Sequence, residues 1–62
     1  MTQKQFLTTL EVAELTGIPT GTLRYWRHRG EGPPSFRLGR RVVYRAERLW
    51  DWIDAQESKL GA

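Results

Sequence analysis

The chain has 62 residues, a mass of 7.2 kDa, no cysteine and a formal net charge of +3 with a pI near 10.0. This length suits one small domain, so we expect residues 1–62 to form a single domain with its core at about residues 7–58. The composition excludes a disulfide framework and a thiolate metal site, and one histidine is too few for a zinc site built on imidazoles. No apolar run is long enough for a membrane span or a signal peptide. We therefore expect a cytoplasmic protein with no metal and no cofactor.

The positive charge is concentrated in the middle of the chain. Residues 20–45 carry seven arginines against Glu31, whereas residues 1–19 have a net charge of −1 and residues 46–57 a net charge of −3. The planar fork of arginine suits phosphates and guanine edges. A solvated polar face would mix charges of both signs. This layout favours a nucleic-acid partner.

A first helix is predicted after residues 1–6, a polar segment without a pattern. Thr8 and Glu11 have the spacing of a capping box, in which each side chain accepts a hydrogen bond from the backbone N–H of the other residue. Leu7 precedes the cap at the position of a hydrophobic staple, and Gly17 supplies the left-handed residue that ends a helix. The predicted apolar side of this helix consists of Leu10, Val12, Ala13 and Leu15.

A second helix is predicted from residues 19–21 to about Arg29. Gly30 stops it, and either Pro19 or Thr20 could cap it. Two short helices joined by three or four residues around a glycine form a helix-turn-helix arrangement. In that arrangement the outward side of the second helix enters the major groove, with its N-terminal residues nearest the bases.

The helical period separates two sides of this second helix. Leu23 and Trp26 lie three residues apart and are predicted to face the first helix. His28, on the other side of a basic helix, suits a DNA contact better than a general base. The candidate DNA-contacting residues of the helix are Thr20, Gly21, Thr22, Arg24, Tyr25, Arg27 and His28.

A small β-hairpin is predicted after a proline-containing connector. Two β-prone runs, residues 35–38 and 41–44, flank Gly39-Arg40, and a Gly-X pair between such runs fits a two-residue type II′ turn. We expect Phe36 and Tyr44 to pair across this hairpin on one face.

The hairpin is rich in arginine. Charged side chains can blunt an exposed sheet edge. Beside a recognition helix, contact with phosphates or the minor groove is the favoured interpretation. The candidate DNA-contacting residues of this wing are Arg37, Arg40 and Arg41.

A last helix is predicted from about Ala46 to Ser58. Asp51 and Asp54 indicate a solvated acidic face rather than a catalytic pair, because so short a chain leaves no room for a pocket between them. Trp50 lies at the margin of the buried side, where it suits either the core or contact with another protein. The predicted buried side consists of Ala46, Leu49, Trp52 and Ile53. No catalytic or metal-binding motif is present.

Two runs of residues resemble a known family. LTTLEVAELTGI at residues 7–18, followed by TLRYW at residues 22–26, resembles the helix-turn-helix of MerR-type proteins. PPSFRLGRRVVYR at residues 33–45, closed by LWDWI at residues 49–53, resembles the small excisionase-like branch of that superfamily, the recombination directionality factors of phages and integrative elements. The resemblance covers about residues 7–55.

The resemblance implies a mainly α fold with a small β-hairpin, a winged helix-turn-helix with element order α-α-β-β-α. It also implies a non-catalytic role: such proteins bind repeated sites in the arms of an attachment site on double-stranded DNA, often side by side, and bend it. The implied partners are a cognate integrase and neighbouring copies of the chain in a bacterial host, with no membrane. By position, Thr22, Arg24, Tyr25 and Arg27 match the recognition helix, and Arg37, Arg40 and Arg41 match the wing.

Two other functions fit the same residues. One is a small MerR-like transcriptional regulator of a phage or mobile element, which needs the same DNA contacts. The other is a protein-interaction module in which Trp50 and the acidic last helix matter and the basic surface is incidental.

Overall fold

The computed structural model describes residues 5–61, which form three helices and a small antiparallel sheet. The predicted winged helix-turn-helix fold is confirmed, with one additional strand before the first helix. In chain order the elements are β1 (Phe6–Thr8), α1 (Thr9–Thr16), α2 (Thr20–Arg29), β2 (Phe36–Leu38), β3 (Arg41–Arg45) and α3 (Ala46–Gly61). Over residues 5–61, no helix is both long and apolar enough to cross a membrane.

The predicted capping box starts α1. Thr8 Oγ1 accepts a hydrogen bond from the Glu11 N–H at 3.1 Å, and Glu11 Oε1 accepts one from the Thr8 N–H at 2.9 Å. Leu7 and Val12 on either side of this cap are both buried in the core. At the other end Gly17 has a φ of 79° and donates its N–H to the Ala13 carbonyl, so the helix ends as its glycine predicts.

The predicted apolar side of α1 is partly wrong. Val12 is fully buried and Ala13 is half-buried, but Leu10 is 60% exposed and Leu15 is 55% exposed. The buried stripe is centred on Val12 and the half-buried Thr16, whose hydroxyl donates to the Val12 carbonyl at 2.7 Å. Because this stripe is narrow in an eight-residue helix, the two leucines lie beyond its edges.

Pro19, rather than Thr20, is the N-cap of α2, and its carbonyl accepts a hydrogen bond from the Leu23 N–H at 3.1 Å. Gly30 ends the helix with a φ of 74°, as predicted. Residues 17–19 connect α1 to α2, which confirms the helix-turn-helix arrangement. Leu23, on the inward side of α2, is buried in the core, as its spacing predicts.

The predicted type II′ hairpin is present, but its pairing differs from the prediction. Gly39 has a φ of 67°, and no other residue type within 5–61 has a positive φ, which is the combination that a type II′ turn requires. A two-residue turn between Leu38 and Arg41 places Phe36 opposite Val43. Pairing of Phe36 with Tyr44 is therefore wrong, because neighbouring residues on a strand face opposite sides of the sheet.

Tyr44 pairs with Leu7 of β1, the strand that sequence analysis did not predict. The strand order is β1-β3-β2, so β3 is central. The Ala46 N–H donates to the Gln5 carbonyl at 2.9 Å, so the contact between the β1 segment and β3 continues to the start of α3. Phe6–Thr8, which directly precede α1, are therefore part of the sheet.

One core joins the helices to the sheet. The buried residues of this core are Leu7, Val12, Leu23, Tyr44 and Leu49. The predicted buried side of α3 is confirmed, because Ala46, Trp52 and Ile53 are half-buried against the core around Leu49. The rings of Trp26 and Trp52 lie 6.1 Å apart between their centres and link α2 to α3.

Candidate nucleic-acid interface

The outward side of α2 presents polar and cationic side chains, as its periodicity predicts. Tyr25 is 58% exposed, and Arg24, Arg27 and His28 are also exposed. Thr20 and Thr22 are half-buried, so they lie at the edge of this surface. Because α2 buries its opposite side against the core, these side chains are free to meet a ligand without disturbing the fold.

The first turn of α2 is open at its backbone. Pro19 provides no side-chain hydrogen bond to this turn. Gly21 has no side chain, and nothing lies within 4 Å of where a Cβ would stand. The first amides of a helix have no partner within the helix and carry its positive dipole end. The start of α2 therefore allows close approach of an anionic backbone.

The wing, the hairpin of β2 and β3, exposes all three predicted arginines. Arg40 lies in the turn, Arg37 in β2 and Arg41 in β3, and each is exposed. The wing is anchored by Val43, which is buried in the central strand. The two-residue turn thus presents the Arg40 side chain between the exposed arginines of the two strands.

A groove lies between α2 and the wing. It has a volume of about 370 Å³ and contains arginines of both elements. Its lining residues are Thr8, Thr9, Leu10, Arg24, Arg27, Arg41 and Val42. Arg41 therefore belongs to one surface with Arg24 and Arg27, and the exposed Leu10 forms part of the same surface. These residues belong to separate elements, and no local sequence pattern predicts that they meet.

Arg29 differs from the other arginines of α2. Its Nε lies 3.1 Å from Glu31 Oε2 in an exposed ion pair. Arg24 and Arg27 have no ion pair within residues 5–61. The cationic charge of α2 is therefore free at Arg24 and Arg27 and locally balanced at Arg29.

A second cationic groove, of about 250 Å³, lies beside the sheet. It is lined by Pro34, Ser35, Phe36, Arg45 and Arg48. The Arg45 guanidinium carbon lies 5.0 Å from the centre of the Phe6 ring, and this ring contacts that of Phe36 edge to face. Neither Arg45 nor Arg48 was among the predicted contact residues, and only their places in the fold bring them together.

The outer side of α3 is acidic. Trp50 is 47% exposed, so it is not a core residue. Asp51 and Asp54 are exposed, and no cluster of acidic or histidine ligands suitable for a metal occurs between residues 5 and 61. We define the acidic stripe as four exposed residues that recur at helical spacing along one side: Glu47, Trp50, Asp54 and Glu57.

Comparison with known proteins agrees with this geometry. A model of the helix-turn-helix domain family matches residues 6–57, which span every strand, α1, α2 and most of α3. Neither the comparison with curated proteins nor that with solved structures found a match. Because the match covers most of the chain and the fold contains the corresponding helices and wing, the chain belongs to the family of DNA-binding helix-turn-helix domains.

Proposed function

We propose that the chain is an excisionase, a non-catalytic protein that binds and bends attachment-site DNA and directs an integrase towards excision. The observation that carries this proposal is the groove in which Arg24 and Arg27 of α2 meet Arg41 of the wing. A helix and a wing with one shared cationic surface fit the major groove and the neighbouring phosphates together. The family also includes excisionase-like small DNA-binding proteins.

The two elements take different roles in this proposal. Arg24, on the outward side of α2, is placed for bidentate hydrogen bonds to a guanine edge in the major groove. Arg40, in the turn of the wing, lies over the backbone and enters the adjacent minor groove. Arg41 joins them through contact with the intervening phosphate. Base preference thus comes from α2, and general affinity comes from the wing.

The affinity of one copy is expected to be weak and dependent on salt. With about six neutralised phosphates, the logarithm of the binding constant falls with the logarithm of salt concentration at a slope of about −5. A single module of this kind buries only about 600–1,000 Å² on DNA. Useful occupancy of an attachment site therefore requires neighbouring copies.

The acidic stripe supplies the contact between neighbouring copies in this proposal. Its negative charge complements the separate cationic groove of Arg45 and Arg48 on the next copy, which leaves the arginines of α2 and the wing to the DNA. The exposed Trp50 gives the stripe an apolar centre. The two surfaces belong to different parts of one chain, so their contact is heterologous and extends as an open row. A row of copies along repeated sites bends the DNA over its length.

The test is an excision assay with purified integrase and DNA that carries the two junction sites, with and without this protein. Excision is expected to require the protein and to be lost with the double variant Arg24→Ala/Arg41→Ala. The matched control is Lys59→Ala, which removes an exposed cation from the end of α3 and should retain activity.

Two results contradict the proposal in different ways. If the protein binds this DNA but excision proceeds equally well without it, the result would favour the transcriptional regulator. Absence of any salt-dependent DNA affinity would favour the protein-interaction module, because the arginine surface would then have no nucleic-acid ligand.

A further inference from the structure

Arg29, the last residue of α2, is hydrogen-bonded to two exposed side chains at once. Its Nε donates to Glu31 Oε2 at 3.1 Å, and its Nη1 donates to the Tyr25 hydroxyl at 3.1 Å. Its Cζ also lies 5.5 Å from the centre of the Tyr25 ring. The guanidinium thus holds an aromatic ring on the DNA-facing side of α2, and a carboxylate beyond the helix holds the guanidinium.

The backbone fixes Glu31 at this position. The Gly30 N–H donates to the Arg27 carbonyl at 3.2 Å and the Glu31 N–H donates to the Trp26 carbonyl at 2.7 Å. These two hydrogen bonds, with a φ of 74° at Gly30, form a Schellman motif. Gly32 then packs so closely on Trp26 that an added Cβ would lie 2.6 Å from the indole. The helix end therefore places the Glu31 carboxylate within reach of Arg29.

The two side chains of this ion pair are 55% and 51% exposed. Exposed ion pairs of this kind contribute little to stability. Its larger consequence is electrostatic, because it balances the charge of Arg29 while Arg24 and Arg27 stay unpaired within residues 5–61. The pair also restricts the orientation of Tyr25 through the shared guanidinium.

We propose that Glu31 is a positioning residue that sets the sequence specificity of the interface, an inference that rests on the proposed DNA-binding function. Acting through Arg29, it holds Tyr25 in one orientation towards the base edges. It also withdraws the Arg29 charge from the phosphates, which attract cations on any sequence. A contact residue held in one orientation discriminates between ligands better than one that adapts to each. Glu31 thus lowers affinity for unrelated DNA and raises discrimination.

The test compares wild type with Glu31→Gln on two duplexes of equal length, one holding a single cognate site and one with that site scrambled. Binding is measured by fluorescence anisotropy over a series of salt concentrations. The ratio of the two affinities is expected to fall about 3–10-fold, within the range for coupled residues of one hydrogen-bonded network. Affinity for the scrambled duplex should rise, and its salt slope should steepen by up to about 0.9, because Arg29 gains a phosphate.

Two further variants separate this role from a general charge effect. Glu14→Gln makes the same change in charge at an exposed position of α1, outside the surfaces described above, and should leave the ratio unchanged. Arg29→Gln should lower the ratio of cognate to scrambled affinity as Glu31→Gln does. It should not steepen the salt slope, because the variant has no guanidinium at position 29 to contact a phosphate. Thermal melting followed by circular dichroism establishes that each variant is folded. Should Glu31→Gln prove unfolded, Arg29→Gln alone decides the effect on the ratio.

The outcomes distinguish this inference from the function on which it rests. If wild type prefers its site and Glu31→Gln gives the same ratio as Glu14→Gln, the role of Glu31 is wrong and the DNA-binding function stands. The same conclusion holds if Arg29→Gln leaves the ratio unchanged. If wild type binds neither duplex, or binds both equally, the proposed function itself fails.

Discussion

The surface of α2 and the wing and the outer side of α3 have opposite charges, although they belong to the same small chain. The first exposes Arg24, Arg27 and Arg41 around one groove. The second exposes the acidic stripe around Trp50. A net charge of +3 conceals this separation. The separation of charge therefore determines how the chain is oriented relative to DNA. Only the arginine surface suits phosphates, and the acidic stripe then faces solvent or a neighbouring copy.

The two regions also differ in how they contribute to the core. α2 buries Leu23 fully and Trp26 partly, whereas α3 contributes Leu49 with Trp52 and Ile53 around it. α3 thus anchors the fold on one side and carries charge on the other. Substitutions on its two sides should therefore have unrelated effects, and so should substitutions on the two charged surfaces.

The largest effect is expected from Leu49→Ala, which attacks the buried side of α3. Leu49 is 0% exposed, and its truncation should lower the free energy of unfolding by about 2–5 kcal/mol. A loss of this size is a large part of the stability of a small domain. Urea denaturation measures it. Leu15→Ala, at an exposed position, should change stability by less than about 0.5 kcal/mol, and equal losses for the two variants would contradict the described core.

The next effect concerns the division of roles between α2 and the wing. Arg24→Ala should cost about 1–3 kcal/mol on the cognate site and relax the base preference at one position. Arg40→Ala should weaken binding to all sequences alike and reduce the salt slope by about 0.9. Titrations of cognate and substituted duplexes measure both. If the two variants behaved in the same way, α2 and the wing would not have separate roles.

A smaller effect is expected from substitutions in the acidic stripe. Trp50→Ala and Asp54→Lys should each remove about 1 kcal/mol of cooperative free energy on DNA with two adjacent sites. Affinity for a single site should stay unchanged, because the stripe does not face the DNA. Gel-shift titrations of one-site and two-site duplexes separate the two quantities. Unchanged cooperativity would remove the stripe from the contact between copies.

The smallest effect is expected from Gly21→Ala, which tests whether the glycine in the first turn of α2 serves DNA binding. The site has open space for a Cβ, and alanine favours a helix over glycine by up to about 1 kcal/mol. The variant should therefore be slightly more stable but bind DNA more weakly, since the methyl group would hinder approach of the backbone. Thermal melting and DNA titration measure the two properties. Tighter DNA binding would show that Gly21 lies outside the interface.

The predictable parts of the fold are those that local chemistry determines. The capping box of Thr8 and Glu11 starts α1, and Gly17, Gly30 and Gly39 mark the ends and the turn where a positive φ is needed. β1 could not be predicted in this way, because its three residues pair with a strand far along the chain. The sequence pattern does not predict the exposure of Leu10 and Leu15 for a related reason, since tertiary packing rather than composition decides which side of a short helix is buried.

The candidate site likewise has parts that local patterns predict and parts that depend on tertiary packing. Helical periodicity alone places Arg24, Tyr25 and His28 on the outward side of α2, and the structure agrees. The meeting of Arg41 with α2 depends on how the wing docks on the helices, which no local pattern specifies. The hydrogen bonds of Arg29 likewise depend on side-chain orientation beyond the helix end.

The most direct test of the central claim, that α2 and the wing form the DNA-binding surface, is an NMR titration. A ¹⁵N-labelled chain is titrated with a duplex of about 20 base pairs at low salt, where binding to any sequence is favoured. The backbone amides of residues 20–29 and 37–41 should shift, and the shifts should diminish as salt is added. Shifts confined to residues 47–57 of α3, with those of α2 and the wing unchanged, would contradict the account.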